Sequence, residues 1–232
     1  SGKSRSAFKK NIENFLMFEG LEDDTSSAVK IKLEEYSKMQ SKGTIYKDLQ
    51  FLLNCKTAES FAVKLPILFR DYSTKIGENS LDYYSDENFQ KIDILSKQET
   101  FFHWELEFPQ IFYDENGENK VNAGFDVILG NPPYGRYGTL NDNQKKFLIK
   151  KNYYGKTGDI SESFIILALD KLVKKKGFFS FIIPKGLSYV KSWEETRKSL
   201  LNFDIKKLID ASKAFDEVLY ESIVKDNLII EP

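Results

Sequence analysis

The amino-acid sequence predicts an α/β protein with a helical N-terminal region, and three observations carry that expectation. Through the first hundred residues the apolar positions recur mostly at helical spacing. Beyond residue 100 the texture changes to short apolar runs alternating with helical ones. Two of those runs, 125–129 and 178–183, are separated by a long connection containing a helix, as a parallel sheet with helices on its faces requires.

Phe8, Ile12, Phe15 and Leu16 share one face of a first helix. In AVKIKLEEYSKMQ, residues 28–40, Val29, Ile31, Leu33 and Tyr36 fit the helical period less cleanly, but the charge-rich composition favours helix. Ser41-Lys42-Gly43 breaks the chain, and 45–53 is a further helical run. Thr57-Ala58-Glu59-Ser60 reads as the opening of the next helix, which ends or kinks near Pro66. GENSLDYYSDE, residues 77–87, reads as a loop. In the second part, 161–175 is an amphipathic helix carrying Phe164, Ile165, Leu167, Ala168, Leu169 and Leu172, with Gly177 behind it and Lys174 to Lys176 at its end. A fully buried strand over 178–183 stops at Pro184, a helix follows over 192–201, and 205–209 and 223–230 are third and fourth strands. The strands at 125–129, 178–183 and 205–209 are expected to be parallel neighbours. Ligands of such sheets bind at the carboxyl ends of the strands, here Asn131 to Tyr134 and Pro184-Lys185.

Composition excludes several classes. No apolar run approaches the roughly 18 residues of a membrane span, and the polar, basic start SGKSRSAFKKN is no secretory signal. Ser1-Gly2 has the look of a cloning scar, so the chain is expected to be a piece of something longer. Cys55 is the lone cysteine, which removes a disulfide framework and a cysteine zinc site and makes a reducing cytoplasm the default. His103 is the lone histidine, set in an aromatic run, and reads as structural; no metal site is expected. The net charge of −1 argues against a uniformly basic nucleic-acid binder, yet residues 136–198 hold 14 Lys/Arg against 6 Asp/Glu, an excess of +8 that leaves −9 elsewhere. That stretch suits a phosphate-facing surface or, equally, solvated helix faces.

The most informative stretch is GFDVILGNPPYG, residues 124–135. Pro132 and Pro133 remove two backbone donors and fix φ, leaving a stiff segment rich in carbonyls. Asn131 adds a side-chain acceptor and donor, and Tyr134 a flat amphipathic face. Together they suit a planar group bearing an exocyclic amine. Such an amine is a poor nucleophile because its lone pair is delocalised. Hydrogen bonds accepted from its N–H groups by Asn131 Oδ1 and the Pro132 carbonyl favour the pyramidal form that can attack. The bland alternative is a rigid turn that merely ends a strand.

Asn-Pro-Pro-Tyr after such a strand resembles the catalytic motif of S-adenosylmethionine-dependent N6-adenine DNA methyltransferases. FFHWELEFPQIF (101–112) resembles the segment before this motif in the type IIG enzymes, which fuse methyltransferase to restriction endonuclease. GDISESFIILALDKLVKKKGFFSFIIPKGLS (158–188) is similar to their following helix and strand, and AFDEV (214–218) to a later motif whose aromatic residue stacks on the target base. The resemblance covers residues 101–232 and implies a partial Rossmann-like methyltransferase sheet. Residues 101–232 would be the catalytic half of the domain and 1–100 a helical insertion or linker. It implies S-adenosylmethionine as cofactor and, as partners, double-stranded DNA with a flipped adenine plus the parent's endonuclease and target-recognition domains. Catalysis would fall to Asn131, Pro132, Pro133 and Tyr134. Tyr134 and Phe215 would stack on the base, Phe215 being otherwise a core aromatic. Asn131 and Phe164 would face the cofactor, Phe164 being otherwise a helix core residue. Lys145, Lys146, Lys150 and Lys151 would contact DNA phosphates.

The departure is the absence of a Gly-rich strand-to-helix turn before residue 124, where Gly2, Gly20, Gly43, Gly77 and Gly117 are scattered singly. The chain by itself is therefore expected to be inactive and to bind the cofactor poorly. Alternatives with the same chemistry are methylation of a protein glutamine amide or of RNA adenine. An alternative of another class is a non-catalytic DNA-binding or scaffold fragment.

Overall fold

The computed structural model describes residues 2–61, 87–210 and 227–231, with the backbone alone for 2–4 and 227–231. The chain separates into two compact units, Ser1–Ala123 and Gly124–Pro232.

The first unit is helical: α1 (Gly2–Glu19), α2 (Ser26–Met39), α3 (Ile45–Ala58) and α4 (Glu87–Gln98). Thr25 and Thr44 start α2 and α3 by accepting the backbone N–H of Ala28 and Lys47 at 3.1 and 3.2 Å, orphan donors of a first turn. The core gathers Phe15, Tyr46, Leu49, Leu52, Cys55, Ile92 and Leu106. The imperfect period of α2 has a structural counterpart, since Val29, Ile31 and Leu33 are exposed and the helix buries no residue. Thr57 to Ser60 opens no helix. The apolar face of α3 (Leu49, Leu52, Cys55) carries the helix through Thr57 to Ala58, and a tight turn, Glu59–Phe61, closes it. Pro66 and residues 77–86 of the expected 77–87 loop lie outside the described residues, and Glu87 begins α4.

The aromatic segment after residue 100 packs in this unit as two short helical turns, Trp104–Glu107 and Pro109–Phe112. Glu107 accepts hydrogen bonds from the hydroxyls of Tyr36 (2.6 Å) and Tyr46. Burial, reinforced by that carboxylate, pushes the Tyr36 phenol up to about 12 and the Tyr46 phenol higher still. His103 is buried, with Nε2 2.7 Å from Asn54 Oδ1, the structural role its surroundings suggested.

The second unit is a four-stranded sheet with helices, so the protein is mixed α/β. Its elements are β1 (Phe125–Gly130), α5 (Asp142–Lys150), α6 (Ile160–Leu167), β2 (Val173–Pro184), α7 (Glu194–Leu200), β3 (Lys207–Asp210) and β4 (Asn227–Glu231). Strand order is β1-β2-β4-β3. β1 and β2 are parallel, as expected, whereas β4 runs antiparallel to both β2 and β3. The third strand shares the sheet and the direction of the first two but is no neighbour of β2. The late strand β4 takes that place and satisfies the edge groups of β2 from Phe181 to Pro184.

Two further expectations need correction. The helix ends earlier than 175: α6 passes into a π turn, Ala168–Leu172, and β2 begins at Val173, opposite Phe125. Lys174 to Lys176 thus belong to a strand and not to a helix terminus. They lie in a bulge, where β2 advances from Val173 to Phe178 while β1 advances from Phe125 to Val127. Lys174 there pairs with Asp126, and the ammonium holds that carboxyl below the usual carboxylate range. Gly124, just before β1, has φ +123°, and an added Cβ would lie 2.6 Å from the Lys174 nitrogen, so any side chain would break this close approach.

Nor are the strands buried on both faces. Ile128, Phe179, Phe181 and Ile183 pack against Ile165, Ala168, Leu187, Trp193 and Leu200. Val127, Leu129 and Phe178 point the other way and are 52%, 75% and 53% exposed. β1 is an edge strand among the described residues, and alternation replaces the continuous burial that the apolar runs suggested.

Candidate active site

The last paired residue of β1, Gly130, sits opposite Phe181, and a Cβ there would come within 2.7 Å of the Phe181 ring. The strand then releases Asn131 and Pro133 to solvent while Pro132 is buried and Tyr134 half-buried. The Tyr134 hydroxyl donates to Asn131 Oδ1 and, at 3.2 Å, to the carbonyl of Ile182 on β2. Burial raises the Tyr134 phenol above its ordinary value, and the charge of Asp159 adds to the effect.

The residues after the motif are tied down. The Gly135 carbonyl accepts the Ile160 N–H at 2.8 Å, and the Tyr137 N–H donates to the Gly158 carbonyl at 2.8 Å. These two bonds form an antiparallel backbone bridge between Arg136 and Asp159. The Tyr137 hydroxyl lies 2.9 Å from Ser163 Oγ and accepts the Gly155 N–H at 3.0 Å, with its ring stacked on Tyr154 at 4.1 Å. Asp159 caps α6 through the Ser161 N–H at 2.9 Å. The segment Asn131–Tyr134 is thus held between the strand pair on one side and the start of α6 on the other.

Phe164, one turn into α6, faces out and is 39% exposed, so it is not the core residue that its apolar neighbours made the simpler expectation. Helix α5 starts with a reciprocal cap between Asn141 and Gln144. Of its lysines, Lys146 and Lys150 are exposed and share a face at i,i+4 spacing. Lys145 approaches Asp142 at 3.9 Å, and the Lys151 ammonium lies 5.9 Å from the Phe147 ring centroid. Lys185, beyond the end of β2, pairs with Asp210 at 2.9 Å. Phe215 lies outside the described residues. Tyr137, Asp159 and Ser163 did not stand out in the sequence, although Asp-x-Ser before an apolar run is a readable helix start.

Residues 23–216 match the model of the family described as Eco57I restriction-modification methylase, which spans most of the chain and the whole of this site. The chain belongs to that family. It is 32% identical over 126 residues (54% of the chain) to a Methanocaldococcus jannaschii protein whose name gives it as a candidate type II restriction enzyme and methyltransferase. It is 29% identical over 100 residues (43%) to the type II methyltransferase M.VspI of a Vibrio species. With the type II methyltransferase M.HincII of Haemophilus influenzae it shares 38% over 101 residues (40%). The matched stretches amount to 10%, 24% and 20% of the lengths of those three proteins.

Proposed function

We propose that this methylase-family chain carries the amine-activating part of a DNA adenine-N6 methyltransferase, within a longer restriction-modification protein. The observation that supports the reading best is the exposed Asn131 acceptor beside the Tyr134 ring, in a segment anchored at both ends. Asn131 Oδ1 and the Pro132 carbonyl accept the two N–H groups of the target amine and stabilise the charge that grows on nitrogen. Tyr134 carries the face of a base turned out of its duplex, with Phe215 on the other side. In the resting arrangement the Tyr134 hydroxyl occupies the Asn131 acceptor, so base entry exchanges one donor for another and leaves the amide oriented. Lys145, Lys146, Lys150 and Lys151 supply phosphate contacts.

S-adenosylmethionine, as cofactor, supplies an electrophilic methyl on a sulfonium. The donor set present fits part of it: the exposed Asn131 amide and the outward Phe164 ring suit its polar and planar portions.

The test is transfer of labelled methyl from S-adenosylmethionine to long unmethylated duplex DNA by the full-length protein, with N6-methyladenine sought in the digest. Label on cytosine, on RNA alone or on a protein glutamine would overturn the substrate assignment, and no transfer at all would favour a non-catalytic role.

A further inference from the structure

Glu162 is 3% exposed, in the first turn of α6, where a carboxylate ordinarily faces water. Its Oε2 accepts the Thr157 N–H at 2.9 Å and the Thr157 hydroxyl at 2.6 Å, and its Oε1 accepts the Thr196 hydroxyl from α7. These three donors are neutral and belong to a loop and a separate helix. Gly155 packs directly over the carboxylate, and a Cβ there would fall 1.8 Å from its carbon. The Thr157 hydroxyl in turn accepts the Asp159 N–H at 2.9 Å. The carboxylate is therefore the hub of the loop 153–159. That loop meets the residues after Tyr134, through Gly158 to Tyr137, Gly155 to the Tyr137 hydroxyl, and the adjoining Ile160 to Gly135.

We propose that Glu162 is a positioning residue that, through the loop 153–159, sets the placement of Asn131 to Tyr134. The inference rests on the methyltransferase reading for its catalytic consequence, but its structural content does not. A buried acceptor with three converging donors specifies one loop geometry, because losing the acceptor strands each donor. Glutamine can serve in part. Its oxygen can take the two Thr157 donors, while its NH₂ donates to the Thr196 hydroxyl, which can turn to accept. Alanine offers neither.

The experiment uses the full-length protein with Glu162→Ala, Glu162→Gln and Thr196→Val, and two readouts. The first is amide hydrogen exchange without DNA or cofactor. Glu162→Ala should speed exchange at Tyr137 and Ile160 by at least about tenfold, a sub-global opening, while the amides of the β1–β2 ladder stay protected; Glu162→Gln should restore most of the protection. The second is the kinetics of methyl transfer. Turnover should fall by about 100-fold in Glu162→Ala, the penalty of a small misplacement of a reacting group, while KM for DNA stays within about threefold. Glu162→Gln should recover turnover, and Thr196→Val should fall between. Unchanged exchange at Tyr137 and Ile160 overturns the proposal, as does faster exchange with unchanged turnover. If Glu162→Ala loses protection in the β1–β2 ladder as well, the two milder variants decide: they must loosen the loop alone, and their failure to do so overturns it. If the loop loosens as expected but the wild-type protein methylates nothing, positioning stands and the proposed function falls.

Discussion

Replacing Asn131 with alanine removes a side-chain acceptor from a segment whose two ends are fixed, by the Gly130–Phe181 pairing and by the Ile160 bond to the Gly135 carbonyl. The cost to folding is small. Asn131 is exposed, and the Tyr134 hydroxyl that it accepts keeps its other bond, to Ile182 at 3.2 Å. An exposed bond of this kind contributes no more than about 0.5–1.5 kcal/mol, so the melting temperature should drop by at most about 6 °C. The cost to catalysis is larger, because an acceptor held in place before the reaction needs no reorganisation as charge appears. Loss of one such group costs about 100- to 1000-fold, or about 2.7–4 kcal/mol. The expected outcome is therefore a protein that melts almost normally, binds duplex DNA with little change and has lost at least about 100-fold in labelled-methyl transfer. A rate near that of wild type would refute the reasoning about this stretch. A matching collapse of stability would show that Asn131 acts through the fold.

Tyr134→Phe keeps the ring and loses only the hydroxyl that competes for Asn131 Oδ1, so methyl transfer should stay within about threefold of wild type, whereas Tyr134→Ala should weaken capture of a flipped base, measured with a fluorescent base analogue at the target, by about 1–3 kcal/mol. Replacing Lys145, Lys146, Lys150 and Lys151 together by alanine should flatten the plot of log binding constant against log salt by up to about 0.9 for each phosphate no longer neutralised; an unchanged slope would return these lysines to the role of solvated faces. The Tyr36 and Tyr113 phenols, each pushed up to about 12 chiefly by burial, hold their protons more tightly in the folded protein than in the unfolded one. Their contribution is fully present below pH 10 and lost as pH rises through 12. Urea midpoints should therefore be steady up to pH 10 and fall from there to 12, less steeply in Tyr36→Phe.

The helical first part was legible because periodicity reports which face of an element is buried, the β1–β2 parallel pair because a long helical connection joins two apolar runs, and the stiff course of residues 131–134 off the strand end because two prolines leave few conformations open. The position of the 205–209 strand was not legible. Sheet membership follows from apolar content and direction from the helical connection, but adjacency depends on where a later strand inserts, which residues 227–231 do not announce. The end of the helix before β2 was misjudged because three lysines and a glycine resemble a helix terminus. Their placement was decided by a partner strand, through Asp126 and the close approach at Gly124. Glu162 escaped notice because glutamate early in a helix ordinarily faces solvent; its burial depends on Thr157 and Thr196, one of them 34 residues away.

The insertion of β4 also sets an order of assembly. Among the described residues β3 pairs with β4 and has no ladder to β2. A chain synthesised only as far as Asp210 can form the β1–β2 pair and the apolar cluster behind it, but β3 has nothing to join. The sheet closes when residues 227–231 pair with β2 on one side and β3 on the other, a long-range step of the kind that slows folding. Until then the β2 edge from Phe181 to Ile183 is open to any other unpaired strand, and Pro184, with no N–H to offer, blunts one end of it. The segment that presents the motif is thus ready early, while its sheet is completed late, by a strand made almost a hundred residues after it.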